Sequence, residues 1–190
     1  MAKITNFCLP FRGAIALAWK ECGAGSFPNW SLHALATCIK DRRSNIKHSS
    51  AVMFISASAA ETEGAGARLA EKIKAGDVLA LVGDFGAGKT QFVKGLARGL
   101  GSNEAVTSPT FTLLHEYRGG RLPIYHFDFY RIENLTALWA IGFDETVFGD
   151  GVSVIEWADR FGEAIPSQAR WIRFEIASEN QRRIDLSPLA

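Results

Sequence analysis

Val78-Leu79-Ala80-Leu81-Val82 runs directly into Gly83-Asp84-Phe85-Gly86-Ala87-Gly88-Lys89-Thr90. An apolar strand followed by Gly-x4-Gly-Lys-Thr is the phosphate-cradling P-loop pattern. Glycines let the backbone curl until successive N–H groups face one concavity, and the helix that follows aims its positive end at the same place. In such a loop Lys89 reaches the outer phosphates and the Thr90 hydroxyl holds Mg2+. A glycine-rich turn with a chance Lys-Thr is the bland alternative. The strand before and the helical pattern after argue against it, so the segment predicts binding of a nucleoside triphosphate.

Outward from the loop, the chain reads as alternating strands and helices. Residues 54–56 fit a short strand and residues 59–74 a helix closed by Gly76. Residues 77–82 lack alternation, as in a strand covered on both faces of a parallel sheet. Residues 90–100 form the P-loop helix, with Phe92, Val93, Leu96 and Leu100 on its core face and Gly101 past its end. Residues 111–117 and 121–127 flank Gly119-Gly120 and predict two strands joined by a hairpin-type turn. Asn134 caps a short helix to residue 140, residues 152–155 form another strand, and 171–176 with 183–186 close as a strand pair. The sum is an α/β fold: a single P-loop NTPase-like sandwich with a mostly parallel central sheet, extra antiparallel strands and flanking helices.

The 190 residues suffice for one such domain and a little more. The net charge of +1 gives no global electrostatic case for nucleic acid or membrane. Its distribution is uneven. Residues 1–52 carry seven Lys or Arg against Glu21 and Asp41, whereas residues 53–190 carry 14 basic and 18 acidic groups. Cys8, Cys22 and Cys38 all fall in the first segment, at spacings that match no zinc or redox motif. No stretch approaches the 18 apolar residues of a membrane span. The expected division is therefore an extension over 1–52 and a P-loop ATPase domain over 53–190. For the extension three readings stand: an upstream mis-annotation with translation starting at Met53, a disordered tail, or an organelle transit peptide.

Magnesium beside a triphosphate needs a carboxylate at a strand's C-terminal end. Asp128 follows Ile124-Tyr125-His126-Phe127, and Glu156 follows Val152-Ser153-Val154-Ile155. Either alone fits a surface acid; two in one P-loop protein favour a metal site. Thr107, Ser108 and Thr110 place three hydroxyls around Pro109, where nucleotide switches sense the γ-phosphate, although an ordinary polar loop reads the same way. His126 reads as a hydrogen-bonded structural histidine rather than a general base. Trp157 fits a core aromatic or a stacking group, and Arg131 and Arg160 fit pairing with phosphate or, as the default, surface salt bridges with nearby acids.

Taken in order, Gly83 to Thr90, Thr107-Ser108-Pro109-Thr110-Phe111, His126-Phe127-Asp128-Phe129-Tyr130-Arg131 and Glu156-Trp157-Ala158-Asp159-Arg160 resemble the TsaE (YjeE) family over about residues 54–187. That family supplies the ATPase of bacterial tRNA threonylcarbamoyladenosine biosynthesis. The resemblance implies a weak, Mg2+-dependent ATPase in the cytoplasm that works with TsaB and TsaD and meets tRNA only through them. It implies that Asp84, Phe85, Gly86, Ala87, Gly88, Lys89, Thr90 and Gln91 hold ATP, with Thr62, Thr110 and Trp157 beside it. It further implies that Thr90, Glu156 and Asp128 serve the metal, and that Asp128, Glu156 and Lys89 carry the chemistry. Phe85 stands where Leu is commoner and Ala158 where Pro is frequent; neither removes a ligand.

Three rivals differ in what they require. A small P-loop kinase needs a second substrate pocket and an Arg-bearing lid, for which no insertion exists. A small GTPase needs Asn-Lys-x-Asp, which is absent from the sequence. A binding module with incidental hydrolysis shades into the family reading, because activity there depends on partners.

Overall fold

Strand β2 (Val78–Val82) is buried at all five positions, and its alternate residues feed two different cores. Leu79 and Leu81 face one cluster, which includes Phe92, Leu96 and Phe174. Val78, Ala80 and Val82 face the other, which includes Phe127, Phe129 and Phe143. An uninterrupted apolar run is what a strand covered on both faces requires. The computed structural model describes residues 53–186, so the expectations for residues 1–52 lie outside the described residues.

Seven strands form one sheet in the order β1-β7-β6-β2-β5-β4-β3. They are β1 (Met53–Ser56), β2, β3 (Leu114–Tyr117), β4 (Ile124–Asp128), β5 (Val152–Glu156), β6 (Arg170–Ile176) and β7 (Arg182–Asp185). The four central strands β6, β2, β5 and β4 pair in parallel. The pairs β1/β7, β6/β7 and β3/β4 are antiparallel. The expected mostly parallel sheet with antiparallel additions is thus observed. Parallel pairing of β2, β4 and β5 brings their C-terminal ends to one edge, where Val82 leads into the P-loop and Asp128 lies in register with Glu156.

Helices α1 (Ala59–Ala70) and α2 (Lys89–Gly99) cover one face. Two short helices, α3 (Leu135–Ala140) and α4 (Phe143–Thr146), and a 3-10 turn (Ala158–Phe161) belong to the other. Full burial of Phe92, Leu96 and Leu79 contributes about 1.5–3 kcal/mol each. No helix among the described residues is long and apolar enough to cross a membrane.

Three boundaries differ from expectation by three residues or more, one of them the start of β4, which begins at Ile124 rather than at 121. Helix α1 stops at Ala70 rather than at residue 74, because Lys72 and Ile73 donate to Leu69 and Ala70, tightening the chain to i→i−3 bonds. The Arg121 guanidinium then donates to the Ala70 and Ile73 carbonyls at 2.7 and 3.1 Å. Strand β3 starts at Leu114 rather than at 111, because the Thr112 and Leu113 N–H groups both turn back to the Pro109 carbonyl. Leu113 adopts a left-handed conformation (φ 66°) in that turn. The segment 107–113 is consequently a loop lying over the C-terminal edge of the sheet. Helix α4 and the 3-10 turn had no counterpart in the sequence reading.

Candidate functional site

Helix α2 begins without a side-chain cap. Gly88 occupies the cap position with φ 100° and ψ 13°, a left-handed conformation that suits glycine, and no acid lies in the first turn. The other principal helices are finished differently. Ser58 accepts from the Glu61 N–H at the start of α1, and Asn134 accepts from the Ala137 N–H at the start of α3. The first N–H groups of α2 and its positive end therefore remain available to an anion.

A cavity of about 320 Å³ opens at this terminus, lined by Phe85, Gly86, Gly88, Lys89, Thr90, Gln91, Ser108, Thr110, Asp128, Glu156 and Trp157. Ten of the thirteen site residues that the resemblance implies line it. Asp84 and Ala87 do not. The Asp84 carbonyl instead accepts from Lys89 Nζ at 2.9 Å, and Ala87 is fully buried within the loop. Thr62 lines an adjoining hollow of about 310 Å³ that it shares with Gly86, Gly88, Gln91 and Arg182. Its hydroxyl lies 2.8 Å from Ser56 Oγ, so Thr62 supports the loop with its body and keeps its polar atom inward.

Lys89 is only 5% exposed. Its ammonium donates to the Gly83 carbonyl at 2.6 Å as well as to Asp84, and sits 3.9 Å from the Trp157 ring centroid. Burial pushes its pKa below the ordinary lysine value, while Glu156 and Asp128 pull the other way. Trp157 reaches the ammonium because it follows β5 in a left-handed conformation (φ 58°), rare for a bulky side chain. Phe85 and Tyr130 pack with it at ring distances of 4.6 and 5.1 Å, making an aromatic rim. The sequence reading did not single out Tyr130, although its place two residues after Asp128 was the available signal.

The two carboxylates are buried and differently engaged. Thr90 Oγ1 donates to Glu156 Oε1 at 2.8 Å, and His126 Nε2 lies 3.0 Å from the same oxygen. Asp128 Oδ2 accepts from Thr110 Oγ1 at 2.6 Å and from Ser108 Oγ at 3.2 Å. Its Oδ1 accepts the Tyr130 N–H at 2.9 Å. The loop 107–113 is thereby tied to the end of β4. Tyr117 anchors the loop's start by donating to the Thr107 carbonyl at 2.8 Å. Arg131 lies over the Phe111 ring at 4.5 Å, and Arg160 donates to the Ile132 carbonyl at 3.1 Å. The surface salt bridges expected of these two arginines do not form among the described residues. Arg182, which sequence gave no reason to select, donates from Nε to the Gly86 carbonyl at 3.0 Å.

The donor set suits a hard cation: one hydroxyl and two carboxylates. No cluster of three or more His, Cys, Asp or Glu that could hold a metal exists among the described residues. An ion here would complete its coordination with phosphate and water oxygens, the ordinary habit of Mg2+. An uncapped helix end, a buried lysine and this oxygen set fit a metal-bound polyphosphate.

Comparisons with known proteins point to one family. The family model described as threonylcarbamoyl adenosine biosynthesis protein TsaE matches residues 56–184. A Bacillus subtilis (strain 168) tRNA threonylcarbamoyladenosine biosynthesis protein TsaE is 47% identical over 111 residues, spanning 58% of this chain and 69% of that protein. The Treponema pallidum protein of the same name is 43% identical over 133 residues, spanning 70% of this chain and 98% of its own length. Among solved structures, the crystal structure of Bacillus subtilis YdiB matches with a TM-score of 0.62 and 37% identity, covering 73% of this chain and 86% of YdiB.

Proposed function

The chain belongs to the TsaE family of tRNA threonylcarbamoyladenosine biosynthesis, and from that premise we propose that it binds and slowly hydrolyses ATP with Mg2+. The observation that carries this reading is the uncapped start of α2 facing Lys89, with the Thr90–Glu156 hydrogen bond beside it.

In this account the backbone of residues 84–90 cradles the phosphates, and Lys89 leaves the Gly83 and Asp84 carbonyls for the outer ones. Thr90 and Glu156, with Asp128, hold the metal. A Mg2+ ion held there would supply charge neutralisation for the phosphates. Asp128 orients the attacking water, which adds to the γ-phosphorus as the bond from phosphorus to the bridging oxygen breaks; ADP departs with that oxygen and the water's proton is released to solvent. Thr110 and Ser108 hold the loop across Asp128, so loop position and carboxylate availability change together. Phe85, Tyr130 and Trp157 shield the phosphates from bulk solvent. Gln91 and Thr62 border the nucleoside half of the ligand.

The partners are TsaB- and TsaD-like proteins, and tRNA is met through them. The excess of acidic over basic groups across residues 53–190 accords with a chain that lacks a tRNA surface of its own. The cytoplasm is the proposed place of action. Complementation tests the proposal: a strain depleted of its own TsaE is supplied with this chain and assayed for threonylcarbamoyladenosine in tRNA. Restored modification by the parent, and none by Lys89→Ala, is expected. A chain that is expressed, binds ATP and never restores modification would overturn the pathway assignment.

A further inference from the structure

We propose that His126 is a positioning residue for the metal site, acting through the hydrogen bond from its Nε2–H to Glu156. The inference rests on the magnesium–ATP reading above.

Sheet register brings the two residues together. On β4, side chains alternate, so Ile124, His126 and Asp128 share one face. On the parallel neighbour β5, Val154 lies opposite His126 and Glu156 lies opposite Asp128. His126 and Glu156 are therefore diagonal neighbours on the face covered by α2, and the ring nitrogen reaches Glu156 Oε1 at 3.0 Å. His126 is fully buried and Glu156 is 3% exposed.

Two features separate this bond from packing that happens to be polar. First, among the described residues His126 Nδ1 is buried with no hydrogen-bond partner. An unpaired buried polar atom is unfavourable, and a Phe or Leu between Ile124 and Val154 would avoid it. The position thus carries a polar ring at a cost, and the bond to Glu156 is what the ring provides. Secondly, both bonds to Glu156 fall on one oxygen. Thr90 reaches Oε1 from the start of α2, and His126 reaches it from within the sheet. Pinned at Oε1 from two sides, the carboxylate has its rotation fixed, and Oε2 remains for the cavity that Glu156 lines. Partners of this kind fix the orientation of ligating groups and strongly affect metal affinity.

Side-chain reach makes the idea testable. The amide nitrogen of Gln lies as many bonds from Cβ as His Nε2 does, whereas that of Asn lies where Nδ1 does. The full-length chain and its His126→Gln, His126→Asn and His126→Phe variants would be titrated with β,γ-imido-ATP in Mg2+ and in EDTA. The readout is the gain in nucleotide affinity that Mg2+ confers. Phe and Asn are expected to cut that gain by about 10-fold or more, with Gln within about threefold of the parent. Binding in EDTA should be alike in all four. Should His126→Phe fail to fold, the Gln–Asn contrast decides alone, since both are polar and differ in reach.

Equal Mg2+ gains for Gln and Asn, or for Phe and the parent, would overturn the role of His126. A parent that shows no Mg2+ gain removes the magnesium reading and this inference together. A parent with a clear gain, lost nucleotide binding in Lys89→Ala and unaffected His126 variants removes only this one.

Discussion

Thr90 Oγ1 and Glu156 Oε1 lie 2.8 Å apart across 66 residues of sequence, joining the first turn of the P-loop helix to the end of strand β5. The bond unites the hydroxyl and the carboxylate that the account gives to one ion. Replacing Glu156 by Gln preserves size while removing the charge. Steady-state hydrolysis at saturating Mg2+ should fall on the order of 100-fold, reflecting about 2.7 kcal/mol of lost charge stabilisation. An unchanged rate, at saturating or at limiting Mg2+, would remove Glu156 from the site.

Asp128 holds the overlying loop through Thr110 and Ser108 at 2.6 and 3.2 Å. Asp128→Ala should release that loop. Amide hydrogen exchange across residues 107–113 is expected to rise about 10-fold, with the central strands unaffected. Protection that persists in the variant would show that Tyr117 and the Pro109 turn suffice to hold the segment.

Two glycines in the helix pair should respond with opposite signs. A Cβ at Gly95 would stand 1.8 Å from the Glu63 carbonyl oxygen, so α1 and α2 pack there backbone to backbone. Gly95→Ala should cost about 3 kcal/mol through overpacking. At Gly64 the nearest atom is Arg68 Nη1 at 3.5 Å, at the end of a flexible side chain. Gly64→Ala should stabilise the chain by about 0.5–1 kcal/mol through helix propensity. Chemical denaturation of the two variants measures both.

Tyr125 provides a pH test remote from the nucleotide site. Its hydroxyl donates to Asp150 at 2.7 Å, and that bond, aided by burial, pushes its pKa up to about 12. In the unfolded chain the phenol titrates near 10. The stabilisation is therefore whole below pH 10 and is lost as the pH rises toward 12. The difference in Tm between the parent and Tyr125→Phe should be constant up to about pH 10 and shrink above it. A difference that stays flat to pH 12 would contradict the assignment.

Much of this arrangement is legible in the sequence, for physical reasons. The P-loop's glycines, Lys89 and Thr90 are contiguous, and β2 could be recognised from its lack of alternation. Asp128 and Glu156 could be placed because each ends an apolar run, and parallel pairing brings such ends to one edge. The hairpin turn at Gly119-Gly120 and the Asn134 cap also followed from local chemistry. The start of β3 differs because Phe111 and Thr112 are β-prone, while the turn of the Thr112 and Leu113 N–H groups back to the Pro109 carbonyl outweighs that propensity. The left-handed Trp157 was hidden for a related reason: its conformation is imposed by tertiary packing against Lys89, Phe85 and Tyr130. Arg182 reaches the Gly86 carbonyl from the distant strand β7, a contact that sequence separation conceals.

The central claim is that the concavity at the start of α2 binds Mg2+–ATP through Lys89. Calorimetric titration of β,γ-imido-ATP with Mg2+ into the parent and Lys89→Ala tests it most directly. Binding by the parent, weakened on the order of 100-fold in the variant through lost charge-assisted bonds, is the predicted result. Equal affinity in the two proteins would contradict it.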